Sequence, residues 1–184
     1  DFATATSRKY LRGARGLGFL YVRKSVIQQL EPVFLEVLYA PWQNAENYKL
    51  NKSIKMFETW EKPYALMMGF TAALKYANDL GMENIWNRIQ LIANYLREQL
   101  RTIENITVHD TGKIQGGIVT FTKAETSPET LQKHLQSFNI NSSVAARFSS
   151  VLDMDKRNLA AVNRVSVHYY NTKAEVDFLI SKLK

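Results

Sequence analysis

The residues best equipped for chemistry stand near the N-terminal end. Between positions 7 and 24 lie Arg8, Lys9, Arg12, Arg15, Arg23 and Lys24 with no acid among them, beside Gly13, Gly16 and Gly18. A basic, glycine-rich backbone suits an anion. The order of elements decides which kind of anion site is possible. A nucleotide-binding glycine motif needs a strand before it and a helix after it, so that the helix N-terminus meets the phosphates. Here Gly13-Ala14-Arg15-Gly16-Leu17-Gly18 runs into Phe19-Leu20-Tyr21-Val22, an aromatic and β-branched run with strand composition. That order fails both nucleotide motifs and leaves a tight turn flanked by cations.

Other chemistries fall away in turn. The chain has no cysteine, which removes disulfide scaffolds, thiolate zinc sites, iron–sulfur clusters and cysteine nucleophiles together. His109, His134 and His168 are far apart and pair with no carboxylate at metal-ligand spacing, so no metal is expected. The serines include no G-x-S-x-G elbow. A balance of 24 Lys and Arg against 17 Asp and Glu gives a net charge of +7, which raises the question of nucleic acid. No nucleic-acid motif is present, and the basic residues of 83–103 are interleaved with Glu83 and Glu98, so no nucleic-acid partner is expected. No apolar run approaches the roughly 20 residues of a membrane helix, and no signal-peptide pattern opens the chain. The expectation is a cytoplasmic protein without a membrane partner. Asp1-Phe2-Ala3-Thr4-Ala5-Thr6 reads as the end of a buried strand, so the chain is expected to be a fragment of a longer protein.

The elements that must position these residues follow from periodicity. Phe19–Val22 predicts a strand, and residues 42–57 a polar loop or lid. Tyr64, Met67, Met68, Thr71, Leu74 and Ala77 recur at helical spacing up to a stop at Gly81. Ile85, Ile89, Ile92, Leu96, Leu100 and Ile103 predict a long amphipathic helix. Strand composition returns at 106–109 and 117–122. Ser127-Pro128 is an N-cap with a proline at the first helical position, before Leu131, Leu135 and Phe138. Residues 139–144 and 163–169 read as further strands. Thr172-Lys173-Ala174-Glu175 is a capping box ahead of Val176, Leu179, Ile180 and Leu183. An α/β layer of helices on a small sheet is the expected class.

Three segments, taken together and in order, resemble the class V aminotransferase family of fold-type I pyridoxal-phosphate enzymes, which includes cysteine desulfurases and isopenicillin N epimerase-like proteins. They are Thr6 to Val22, with Ser7-Arg8-Lys9 before the glycine loop; Phe57-Glu58-Thr59-Trp60-Glu61 leading into a helix; and Arg164-Val165-Ser166-Val167-His168-Tyr169-Tyr170-Asn171-Thr172. The resemblance implies the C-terminal part of a fold for transferases dependent on pyridoxal 5'-phosphate (PLP). Residues 1–57 would end the large cofactor domain, 58–104 would form linking helices, and 105–184 a small C-terminal α/β domain.

The same resemblance implies roles. Lys9 would hold PLP covalently and, once substrate displaces it, move the proton, because only an amine forms an exchangeable imine. Thr6 and Arg8 would contact the cofactor phosphate. Arg164 would clamp the α-carboxylate of a small amino-acid substrate. The parent protein would be a homodimer. Two departures from the family pattern matter. Where desulfurases carry a nucleophilic cysteine, this chain reads Ser142-Ser143-Val144-Ala145-Ala146-Arg147-Phe148-Ser149-Ser150, which disfavours desulfuration. Where they carry a phosphate-binding threonine, it reads Trp60-Glu61, closer to the epimerase-like branch. The leading expectation is transamination by a parent enzyme of which this chain alone is inactive. Epimerisation or β-elimination is the alternative within the family, and a non-catalytic anion- or partner-binding module the alternative outside it.

Overall fold

The hydrophobic period switches between two and 3.6 along the chain, which lays out strands and helices in alternation. The computed structural model describes residues 1–184 and divides them into two compact units, Asp1–Asp79 and Leu80–Lys184. The segment 58–104 is therefore split, its first helix closing one unit and its second helix building the core of the other.

In the first unit, β1 (Phe2–Thr6) and β2 (Gly18–Val22) form an antiparallel ribbon running from Phe2 opposite Val22 to Thr6 opposite Gly18. β1 is a strand as its composition suggests, but it is exposed along most of its length. The expected loop at 42–57 contains more order than its polarity indicated. Trp42–Asn44 (β3) and Asn47–Tyr48 (β4) pair as a small hairpin, turned by the Asn44 side chain accepting from the Glu46 amide at 3.0 Å. A short 3-10 helix follows at Ile54–Phe57 and buries Met56. Helix α1 (Tyr64–Leu80) has the predicted limits, and Gly81 ends it with φ +87°. Of its predicted inward positions only Ala77 is buried. The cause is that α1 is apolar around most of its circumference, and its neighbours within this unit cover little of it.

The second unit is a four-stranded antiparallel sheet with order β5-β6-β8-β7: Ile106–Val108, Ile118–Lys123, Ala161–Ser166 and Ser143–Ala146. α2 (Met82–Arg101), α3 (Pro128–Gln136) and α5 (Lys173–Leu183) share one core with its strands. Ile92, Leu96 and Leu100 of α2, Val119 and Phe121 of β6, Leu135 of α3 and Leu183 of α5 are all at most 1% exposed. Ser127 caps α3, its hydroxyl accepting from the Thr130 amide at 3.2 Å. Phe138 lies beyond the end of α3 and is exposed. The β7 strand begins at Ser143 rather than 139, and the β8 strand ends at Ser166. A short helix, α4 (Val151–Lys156), occupies a stretch that the sequence pattern left without an element. No helix is long and apolar enough to cross a membrane.

Candidate functional site

Thr6, Arg8 and Lys9 come together where β1 turns into the glycine loop. Ser7, fully buried, fixes this turn. Its amide donates to the Leu17 carbonyl at 3.0 Å, its carbonyl accepts from the Gly13 amide at 2.9 Å, and its hydroxyl reaches the carbonyls of Ala14 and Leu17. The loop is also shaped by glycine. Gly16 takes φ +92°, and a Cβ on Gly13 would lie 3.1 Å from both the Phe70 ring and the Ser7 Cβ. α1 thus backs the loop through Phe70, and the Arg12 guanidinium lies 5.3 Å from the Tyr76 ring centroid. On this tied-down turn the Lys9 carbonyl accepts from the Arg12 amide at 2.9 Å, while the Lys9 ammonium and the Arg8 guanidinium are exposed and have no partner within the chain. The Thr6 hydroxyl donates to the Leu17 carbonyl at 3.2 Å, so it would have to turn away before donating to a ligand.

Arg164 lies in the second unit, in the middle of β8. Thr120 of β6 is in register with it on one side and Ser143 of β7 on the other. Its Nε is buried and has no hydrogen-bond partner. A buried, unsatisfied guanidinium nitrogen is costly and calls for an acceptor. The neighbouring strand end is tightly organised. The His168 amide donates to Asn171 Oδ1 at 2.8 Å, the His168 ring stacks on Tyr170, and the Arg88 guanidinium donates to the Asn171 carbonyl at 2.9 Å. His168 Nδ1 accepts from the Tyr169 amide at 2.9 Å, which leaves the proton of the neutral ring on Nε2.

A polar cluster that the sequence pattern did not reveal lies beside Arg164. Arg97 of α2, only 2% exposed, donates from Nε to Asp110 at 2.7 Å and from Nη2 to the carbonyls of Gly116 (2.7 Å) and Ile118 (2.9 Å). Asp110 Oδ1 accepts from the amide and hydroxyl of Thr120 at 2.9 and 2.6 Å. Next to it, burial and then the Arg157 guanidinium hold the His109 imidazole below its usual range, against a smaller opposing pull from Asp110. The sequence places Arg97 among the mixed charges of the 83–103 helix; only its place on the buried face of α2, near the C-terminal end and opposite Asp110, reveals the pair. No group of three His, Asp or Glu side chains is arranged to hold a metal ion.

The sequence model for the aminotransferase class-V family matches residues 1–179. The chain belongs to that family. Its relatives include a cysteine desulfurase from Haloferax volcanii, 27% identical over 184 residues, which cover all of this chain and 43% of the relative. Among solved structures, the apo cysteine desulfurase from Thermococcus onnurineus matches this class-V chain with a TM-score of 0.88 at 21% identity, over 98% of this chain and 45% of that one. The cystine C-S lyase C-DES, in complex with its product cysteine persulfide, matches with a TM-score of 0.75 at 20% identity, over 97% of this chain and 44% of that one. A mutant of C-DES has glycine covalently linked to its PLP cofactor. The fold is thus the PLP-enzyme fold of this family, and the class-V chain spans less than half the length of these relatives.

The residues present fit such a cofactor. A primary amine and a guanidinium, both without internal partners, stand on a rigid turn, which is the donor set that an aldehyde carrying a phosphate requires.

Proposed function

We propose that this chain is the C-terminal portion of a PLP-dependent lyase that cleaves a carbon–sulfur bond in a small amino acid. When bound, PLP supplies an electron sink for the bonds at the substrate Cα. Lys9 holds it covalently and afterwards moves the proton at that carbon, with Arg8 and Thr6 at the phosphate. Arg164 takes the substrate α-carboxylate and so fixes which Cα bond is set for cleavage. The observation that carries this reading is the buried Arg164 Nε without an acceptor.

The type of reaction rests on the relatives and on one property of the chain. The matched relatives are desulfurases and a C–S lyase, which favours elimination over the transamination expected from sequence. The chain holds no cysteine to receive sulfur, which favours release of sulfur with the product over transfer to the protein.

Borohydride reduction of the full protein with PLP, followed by peptide mass spectrometry, tests the cofactor site. An adduct on the Lys9 peptide is expected, and an adduct on another lysine would overturn the assignment. With cystine as substrate, elimination consumes water and gives pyruvate, ammonia and cysteine persulfide in equal amounts. Alanine formed from cysteine with an added acceptor thiol, or a requirement for a 2-oxo acid acceptor without ammonia release, would replace the lyase reading by desulfuration or transamination respectively.

A further inference from the structure

Resting on the reading of Arg164 above, a second question is why that guanidinium stays unpaired when an acid is so close. Residues in register on antiparallel strands place their side chains on one face, with Cβ atoms about 4.5–5.5 Å apart. Thr120 is therefore the immediate neighbour of Arg164, and both its amide and its hydroxyl are bound to Asp110. Asp110 stands one side chain away from Arg164, with its carboxylate 9% exposed. A long arginine side chain reaches that far, and in partly buried surroundings the attraction between opposite charges is strong. An Asp110–Arg164 pair would occupy the guanidinium meant for substrate.

Arg97 prevents it. It takes Asp110 Oδ2 at 2.7 Å, while Thr120 takes Oδ1, so both carboxylate oxygens are engaged. Arg97 is itself locked by the carbonyls of Gly116 and Ile118 and by Asn94 Oδ1 at 3.3 Å. The other cation in this polar recess, Arg157, is held by Asp153 and by the His109 carbonyl and leaves Asp110 to Arg97. We propose that Arg97 is a positioning residue: by neutralising Asp110 it keeps Arg164 open for the substrate carboxylate.

The test uses the full, PLP-loaded protein with glycine as the probe, read by the 15N resonance of the Arg164 Nε–H and by glycine affinity. In Arg97→Gln the resonance should move before any glycine is added, and glycine should bind about tenfold more weakly. Adding Asp110→Asn should reverse both effects, which repair of a purely structural defect would not do selectively. An unmoved resonance with unchanged affinity in a folded Arg97→Gln protein overturns the proposal, as does failure of Asp110→Asn to rescue. Should Arg97→Gln not fold, Arg97→Lys, which cannot reproduce the planar fork, carries the test with a smaller shift in the same direction, and no shift overturns it. Arg164→Lys separates the two readings. If it leaves glycine affinity unchanged, the role given to Arg164 is wrong; if it weakens glycine while Arg97→Gln does not, only the role of Arg97 is wrong.

Discussion

Gly18 and Ala5 approach so closely across the β1–β2 ribbon that a Cβ on Gly18 would lie 2.6 Å from the Ala5 carbonyl oxygen. The obstacle is backbone and cannot rotate aside. Gly18→Ala should therefore part the ribbon where it carries the Lys9 turn, at a cost of about 1–3 kcal/mol in urea denaturation. Gly116→Ala, whose Cβ meets nothing within 4 Å, is the control and should change stability by no more than about 0.5 kcal/mol. Equal losses in the two variants would rule out the close approach as the cause.

The capping box at the start of α5 sets the titration of its own glutamate. Glu175 accepts from the Thr172 amide at 2.7 Å, and this bond chiefly holds its carboxyl below the usual range. The charged form is the one stabilised, so the contribution is present above the ordinary carboxylate pKa and is lost as the pH falls through the folded value. Thr172→Ala removes the reciprocal cap at a cost of about 1 kcal/mol. NMR titration of Glu175 Cδ should still show its pKa below the usual carboxylate range, because the Thr172 amide remains in the variant; a return to the ordinary value would mean that the hydroxyl, and not the amide bond, governs it.

How much was readable beforehand depended on whether a residue's partner is near it in sequence. The capping box, the Ser127 cap and the limits of α1 and α2 are local features, and the chain states them directly. The turn carrying Lys9 was legible through its motif, but Ser7, which ties it together, was not, since a lone serine has no signature until Ala14 and Leu17 close around it. The buried role of Arg97 was not legible because its partners at 110, 116 and 118 are brought to it by a loop that composition does not describe. Helix α4 was missed because six residues offer too little periodicity to register.

His109 should give the second unit a characteristic response to acid. Its folded pKa lies below the ordinary 6.5, first because of burial and then because of Arg157. The unfolded chain therefore binds the proton more tightly. Stability from this group is complete above about pH 6.5 and declines as the pH falls from there through the folded value. His109→Gln should flatten that part of the melting temperature against pH curve. A wild-type curve with no slope there would contradict the assignment.

Phe121 is completely buried at the centre of the sheet, within the core shared by α2, α3 and α5. Truncation to alanine should cost about 3–5 kcal/mol, measured by denaturant midpoint. Phe148, 84% exposed, should cost little when truncated in the same way. A small loss at Phe121 would mean that the core can collapse around the cavity.

The strand order of the second unit also governs how it is made. β8 pairs with both β6 and β7, although it is the last strand to be synthesised. Until residues 161–166 leave the ribosome, β7 has no neighbour and β6 has only β5. A nascent chain must therefore carry α2, α3 and three strands with their apolar faces unfinished, and the sheet closes in a late step, with α5 completing the core last of all. Translation that stalls just before residue 160 would release a chain that cannot form this sheet, whereas one that loses only the last turn of α5 would keep every strand pairing.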